Sequence, residues 1–133
     1  MSGYSKTPLW KKIGFKEDHT WRFINGSAYL ESLLQPLPEG TSRTEVEGRV
    51  DIILWCCNDL DQLETQMRVY MKDIFPVGMM WVLWYKKSSK KQRDVNEDVI
   101  RDTALAVGLV DVKVCAVDQE WSALKLVYRL KDR

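Results

Sequence analysis

Short, continuously apolar runs alternate along this chain with longer segments whose apolar residues recur every three or four positions. Residues 50–57 (VDIILWCC) and 79–85 (MMWVLWY) are runs of the first kind, the pattern of strands covered on both faces. Between them Leu60, Leu63, Met67, Tyr70, Met71 and Ile74 predict a helix with one buried stripe, capped by Asn58 or Asp59 and broken at Pro76-Val77-Gly78. A second helix follows the polar stretch 86–93 (KKSSKKQR). Val95, Val99, Ile100, Ala104 and Leu105 line it, Asp94 and Glu97 cap it, and Gly108 stops it.

Upstream, Leu9, Trp10 and Ile13 mark a short helix capped by Thr7, with Pro8 in its first position and Gly14 at its end. Residues 19–24 (HTWRFI) predict the first strand, ending at Asn25-Gly26. Ser27 then caps a helix carrying Ala28, Tyr29, Leu30, Leu33 and Leu34, closed by Pro36 and Pro38, and residues 42–46 predict a short strand. Two last strands, 110–117 and 123–130, are joined by only Asp118 to Ser122, which makes them antiparallel neighbours or a corner. Buried strands alternating with helices define an α/β chain: a three-layer, Rossmann-like open sheet, mostly parallel with a C-terminal antiparallel pair. This arrangement resembles a trimmed methyltransferase fold, and nothing divides residues 1–133 into more than one domain.

Composition narrows the function classes. The 133 residues are 45% apolar and 29% charged, and 20 basic against 19 acidic residues leave a net charge of +1. A core without staples is possible at this length, and no global field favours nucleic acid or an anionic membrane. The absence of an 18-residue apolar run and of a signal-type N-terminus points to a cytoplasmic protein that does not meet the membrane. Three cysteines, Cys56, Cys57 and Cys115, lie in apolar runs and are expected to be reduced and buried. The single histidine, His19, leaves no His-rich metal site and no ordinary catalytic triad, so no metal is expected.

In open α/β sheets ligands bind beyond the carboxyl ends of the strands. Asn25, Gly26, Asn58 and Lys86 occupy those ends here and are the candidate cofactor-binding rim. A loop that cradles a nucleotide needs several glycines, whereas Gly26 stands alone and Asn25-Gly26-Ser27 also reads as a capped turn. Glu45 and Glu47 stand near the distance of a ribose-binding acid, in a charge-mixed stretch that reads equally as solvated surface. The cations Lys86, Lys87, Lys90, Lys91 and Arg93 suit a phosphate or a plain solvated loop. Asp118 and Glu120 read as turn acids or as an acid–base pair, and Trp121 as packing or as a pocket wall.

Several stretches carry a family resemblance: Gly3-Tyr4-Ser5, Thr7-Pro8-Leu9, Lys12-Ile13-Gly14-Phe15-Lys16, Trp84-Tyr85-Lys86-Lys87, Gly108-Leu109-Val110-Asp111, Lys113-Val114-Cys115-Ala116, Asp118 and Trp121-Ser122-Ala123-Leu124-Lys125. They resemble the bacterial domain of unknown function 3052. The resemblance implies a small methyltransferase-like sheet with no assigned activity. It departs at the first strand end, where Asn25-Gly26-Ser27-Ala28 stands in place of an N/G-A-P-x-G pattern. Lys87, Lys113, Asp118, Trp121 and Ser122 match family positions and form a second candidate cluster, while no catalytic residue can be named.

The expectation is therefore a non-enzymatic or ligand-sensing domain with a degenerate cofactor site and no cofactor. The alternatives are a small-molecule transferase using S-adenosylmethionine or a nucleotide, and a weak phosphate or nucleic-acid binder working through residues 86–93. Of these partners nucleic acid is the least expected, and a homodimer stays open.

Overall fold

A computed structural model describes residues 7–91 and 93–133; Gly3, Tyr4 and Ser5 of the resemblance lie outside the described residues. The elements run α1 (Leu9–Ile13), β1 (Thr20–Ile24), α2 (Ala28–Ser32), β2 (Ser42–Arg43), β3 (Ile52–Cys56), α3 (Leu60–Tyr70) with a 3-10 turn Met71–Ile74, β4 (Met79–Tyr85), α4 (Glu97–Val107), β5 (Leu109–Ala116) and β6 (Trp121–Tyr128), before a 3-10 turn Leu130–Asp132. The strands form one sheet in the order β2-β1-β3-β4-β6-β5. The first four are parallel, and β6 lies antiparallel between β4 and β5. The chain leaves β1 toward β2 on one side and returns to β3 on the other, so strand order reverses between β1 and β3.

Two separate cores confirm the three layers. On one face α3 and α4 pack through Leu63, Met67, Ile100 and Ala104 onto Ile53, Trp55, Met80, Val82 and Leu124. On the other, α1, α2 and the turn after α2 bring Ile13, Leu30 and Leu34 against Trp21, Phe23, Leu54, Trp81 and Leu83. Successive strand residues point to opposite faces, and Cys56 and Cys57 fall into different cores accordingly.

Several local expectations change. Pro8 rather than Thr7 holds the cap position of α1, and no side chain caps that helix. Asn96 accepts from the Val99 amide at 2.9 Å and caps α4, so the pairing of Asp94 with Glu97 is not used. Leu60 and Leu105 face outward, at 45% and 43% exposure; each sits at the margin of its stripe, beyond the sheet's reach. The helix expected through Leu34 stops at Ser32, and the strand expected over 42–46 shrinks to two residues. Trp121 is the first residue of β6, paired with Tyr85, rather than part of the turn.

Arg22 is buried at 5% exposure in β1. It donates to Asp73 at 3.1 Å and to the Val46 carbonyl at 3.3 Å, and it lies over the Tyr70 ring. A charge is tolerated at such depth only when it is paired and hydrogen-bonded.

Candidate functional site

The carboxyl ends of β1, β3 and β4 and the β5–β6 turn meet at one end of the sheet. At the β1 tip Asn25 adopts φ 58, a left-handed conformation that asparagine accepts more readily than most residues. Its side-chain amide donates to the Cys56 carbonyl at 3.4 Å, bridging the point of strand reversal. Ser27 then accepts from the Leu30 amide at 3.1 Å and starts α2. Gly26 is required by packing: a Cβ there would lie 2.6 Å from the Phe23 ring. That side of the glycine is already filled.

At the β3 tip Asn58 accepts from the Tyr85 amide at 3.0 Å, tying β3 to β4, and Asp59 caps α3. At the β4 tip the Lys86 amide donates to the Glu120 carbonyl at 2.8 Å, and its ammonium to the Asp118 carbonyl at 2.5 Å. Of the four expected rim residues, Asn25, Gly26 and Asn58 thus sit at the reversal point, while the Lys86 side chain turns to the β5–β6 turn.

Asp118 organises that turn. One carboxylate oxygen accepts from the Glu120 and Trp121 amides, both at 2.8 Å, and the other accepts from the Tyr29 hydroxyl at 2.9 Å. The Trp121 ring packs on Tyr85 with centroids 4.1 Å apart. Ser122 and Lys87 line a cleft of about 350 Å³ between Trp84, Tyr85 and the start of α4. The carboxylates bordering it, Glu97 and Asp98, are both held by Arg101, which also binds Asp111 at 3.0 Å. Lys113 does not join this cluster: it lies in β5 opposite Lys125, and its ammonium donates to the Lys12 carbonyl at 3.2 Å.

Tyr29 was missed as a site residue. Its place among the apolar residues of α2 suggested burial, yet it is 56% exposed and reaches Asp118. No sequence signal links positions 89 apart; only the sheet order does so. Phe23, read as a strand residue, is equally the group that fills the space beside Gly26.

The thiols offer no nucleophile. Burial pushes Cys56 up to about 12, and burial likewise raises Cys57 and Cys115; thiolate, not thiol, is the reactive form. His19 accepts from the Lys16 amide at 3.1 Å before β1 begins, at the opposite end of the sheet. Among the described residues no group of three metal-ligating side chains occurs, and no helix is long and apolar enough to cross a membrane.

A sheet with helices on both faces, reversing between β1 and β3 and ending in an antiparallel pair, is a Rossmann-like fold. The chain belongs to the family described as "Protein of unknown function (DUF3052)", whose model matches residues 33–130. That span includes the Trp84-Tyr85-Lys86-Lys87 and 108–125 motifs but not the N-terminal one. Nothing among the curated proteins matches. Solved structures agree on the fold. The pyocyanin biosynthetic protein PhzM has a TM-score of 0.69 at 11% identity, over 91% of this chain and 53% of its own. This chain thus spans about half the length of that protein. A SAM-dependent methyltransferase from Aquifex aeolicus reaches 0.60 at 13% identity, over 89% and 86%. The N-methyltransferase NodS from Bradyrhizobium japonicum WM9 reaches 0.58 at 10% identity, over 89% and 91%.

Proposed function

We propose that this chain is a non-catalytic, ligand-sensing domain on a methyltransferase-like sheet whose cofactor crevice is closed by its own side chains. The contact of the Phe23 ring with Gly26 carries the reading. A glycine in a cofactor loop serves by leaving its backbone open to the ligand, and here that opening is occupied from within. The neighbouring polar groups are also engaged, Asn25 on Cys56 and Asn58 on Tyr85. Of the two acids near the sequence distance of a ribose-binding acid, Glu45 is paired with Arg43 at 3.0 Å on the surface. The ligand would instead enter beside the β4 tip, where Lys87 and Ser122 line the open cleft and Asp118, Trp121 and Lys86 fix the adjoining turn.

The second reading, a transferase using S-adenosylmethionine, is favoured by the methyltransferases among the structural neighbours. Titration calorimetry of the purified protein with S-adenosylmethionine and S-adenosylhomocysteine separates the two. The closed-crevice reading expects no saturable heat at about 1 mM ligand, a concentration that would populate even a site of about −4 kcal/mol. Micromolar binding of either compound would overturn it and make the transferase the working description.

A further inference from the structure

The sheet surface beside α1 carries positive charge that the fold does not neutralise. Lys113 in β5 and Lys125 in β6 are direct cross-strand partners, an arrangement in which like charges repel. Lys125 is half-buried. Its other neighbour in the sheet is Trp81 of β4. Burial lowers its pKa, and Lys113, Arg133 and Lys16, in that order, lower it further. The charges that shift it are all cations. Among the described residues, none of Lys12, Lys16, Lys113, Lys125 and Arg133 forms a salt bridge, although Arg22, Arg43, Arg68 and Arg101 are all paired elsewhere on the chain. Lys16, Lys113, Lys125 and Arg133 thus act on one another with no acid paired to any of them, in a chain of net charge +1.

The patch is concave. Lys125 and Arg133 line a pocket of about 220 Å³ whose walls include Val77, Met79, Val112 and Val127. It opens at the amino end of β4, away from the strand tips described above. The volume is below that of a drug-sized site. The guanidinium fork of Arg133 matches two oxygens of one anionic group, and the valines suit a short apolar body.

We propose that Lys125 and Arg133 bind a small phosphate-bearing anion seated in this pocket, with the charges of Lys113 and Lys16 adding to its attraction. The anion supplies the negative charge missing between Lys113 and Lys125. The Lys113 ammonium is held by the Lys12 carbonyl at 3.2 Å, so Lys113 acts on the anion through its charge.

Pyrophosphate is the probe, titrated up to about 10 mM, where a site of millimolar affinity is occupied. Binding is followed by calorimetry and by the Lys side-chain NMR signals. Saturable binding is expected, with the Lys125 resonance titrating at higher pH in the complex. Lys125→Met should weaken binding about tenfold, as loss of a charged hydrogen bond does. Without ligand it should melt no lower than the native protein, because the repulsion with Lys113 is gone. Arg133→Gln, at an exposed position, should weaken binding similarly, and Lys90→Met in the 86–93 loop should leave it unchanged. Absence of binding, or binding indifferent to both Lys125→Met and Arg133→Gln, overturns the proposal. Loss of binding in Lys90→Met moves the site to the loop and also overturns it. A single-stranded oligonucleotide that displaces pyrophosphate at lower concentration overturns the small-anion assignment.

Discussion

The Tyr29 hydroxyl donates to Asp118 at 2.9 Å, joining the first turn of α2 to the β5–β6 turn across 89 residues of sequence. The bond passes over the end of the sheet where the β1, β3 and β4 tips lie. It is exposed, so its net contribution to global stability is small, about 0.5–1 kcal/mol. Tyr29→Phe should therefore leave the urea midpoint nearly unchanged. It should instead speed amide exchange in residues 118–121, whose turn loses one of its anchors. Unchanged exchange there would mean that the backbone bonds to Asp118 hold the turn without Tyr29.

The close approach of Phe23 to Gly26 predicts a steric cost rather than a conformational one. Gly26→Ala places a methyl group 2.6 Å from the ring and should destabilise by about 1–3 kcal/mol, the range for overpacking. Phe23→Leu in the same chain should recover part of the loss. Equilibrium denaturation of the two single variants and the double variant reads the coupling. Strict additivity would refute the contact as the cause.

Arg22 and Asp73 form the deepest ion pair among those described, with side chains 6% and 20% exposed. Removing one partner of a buried pair strands the other, at about 3–5 kcal/mol. Asp73→Ala should approach the lower end of that range, since the Val46 carbonyl and the Tyr70 ring still face Arg22. A loss below about 1 kcal/mol, the level of a surface pair, would show that Asp73 is dispensable.

The buried thiols set the alkaline limit. Cys56 is pushed from 9.0 to about 12, and Cys57 and Cys115 are raised in the same direction by burial. The unfolded chain therefore releases these protons from pH 9.0 upward while the folded chain keeps them. Their stabilising contribution is complete below that pH and declines above it, for Cys56 as far as about pH 12, at about 1.4 kcal/mol for each tenfold difference in a group's proton affinity between the folded and unfolded chain. Burial raises Tyr70 and Tyr128 too, with the same sign above pH 10.0. Lys125 opposes them: its folded pKa lies below 10.5, so the unfolded chain binds more protons as pH approaches that value and stability gains. Three thiols and two phenols outweigh one half-exposed lysine. The urea midpoint should hold between about pH 7 and 8.5 and fall above about pH 9. Cys56→Val should flatten the fall, and a midpoint that rises above about pH 9 would contradict the balance.

The sequence by itself determined the layered α/β class. Continuous apolar runs such as 52–56 and 79–85 bury both faces whatever surrounds them, and the three-four spacing of Leu63 and Met67 has one stable use. Stops and caps with local chemistry were equally legible: Gly14 and Gly108 are left-handed where a helix must end, and Ser27 caps its own helix. Competition between neighbouring caps was not legible, because Asn96 and Asp94 are both able caps and packing of Val95 into the core selects the start of α4. Tertiary structure alone decided the charged and site geometry. Placing β6 between β4 and β5 sets Lys125 against Lys113 and brings Asp118 to Tyr29 and Lys86. Strand order and register are properties of distant pairing, and a local sequence pattern encodes which face a residue takes but not which residue it meets there.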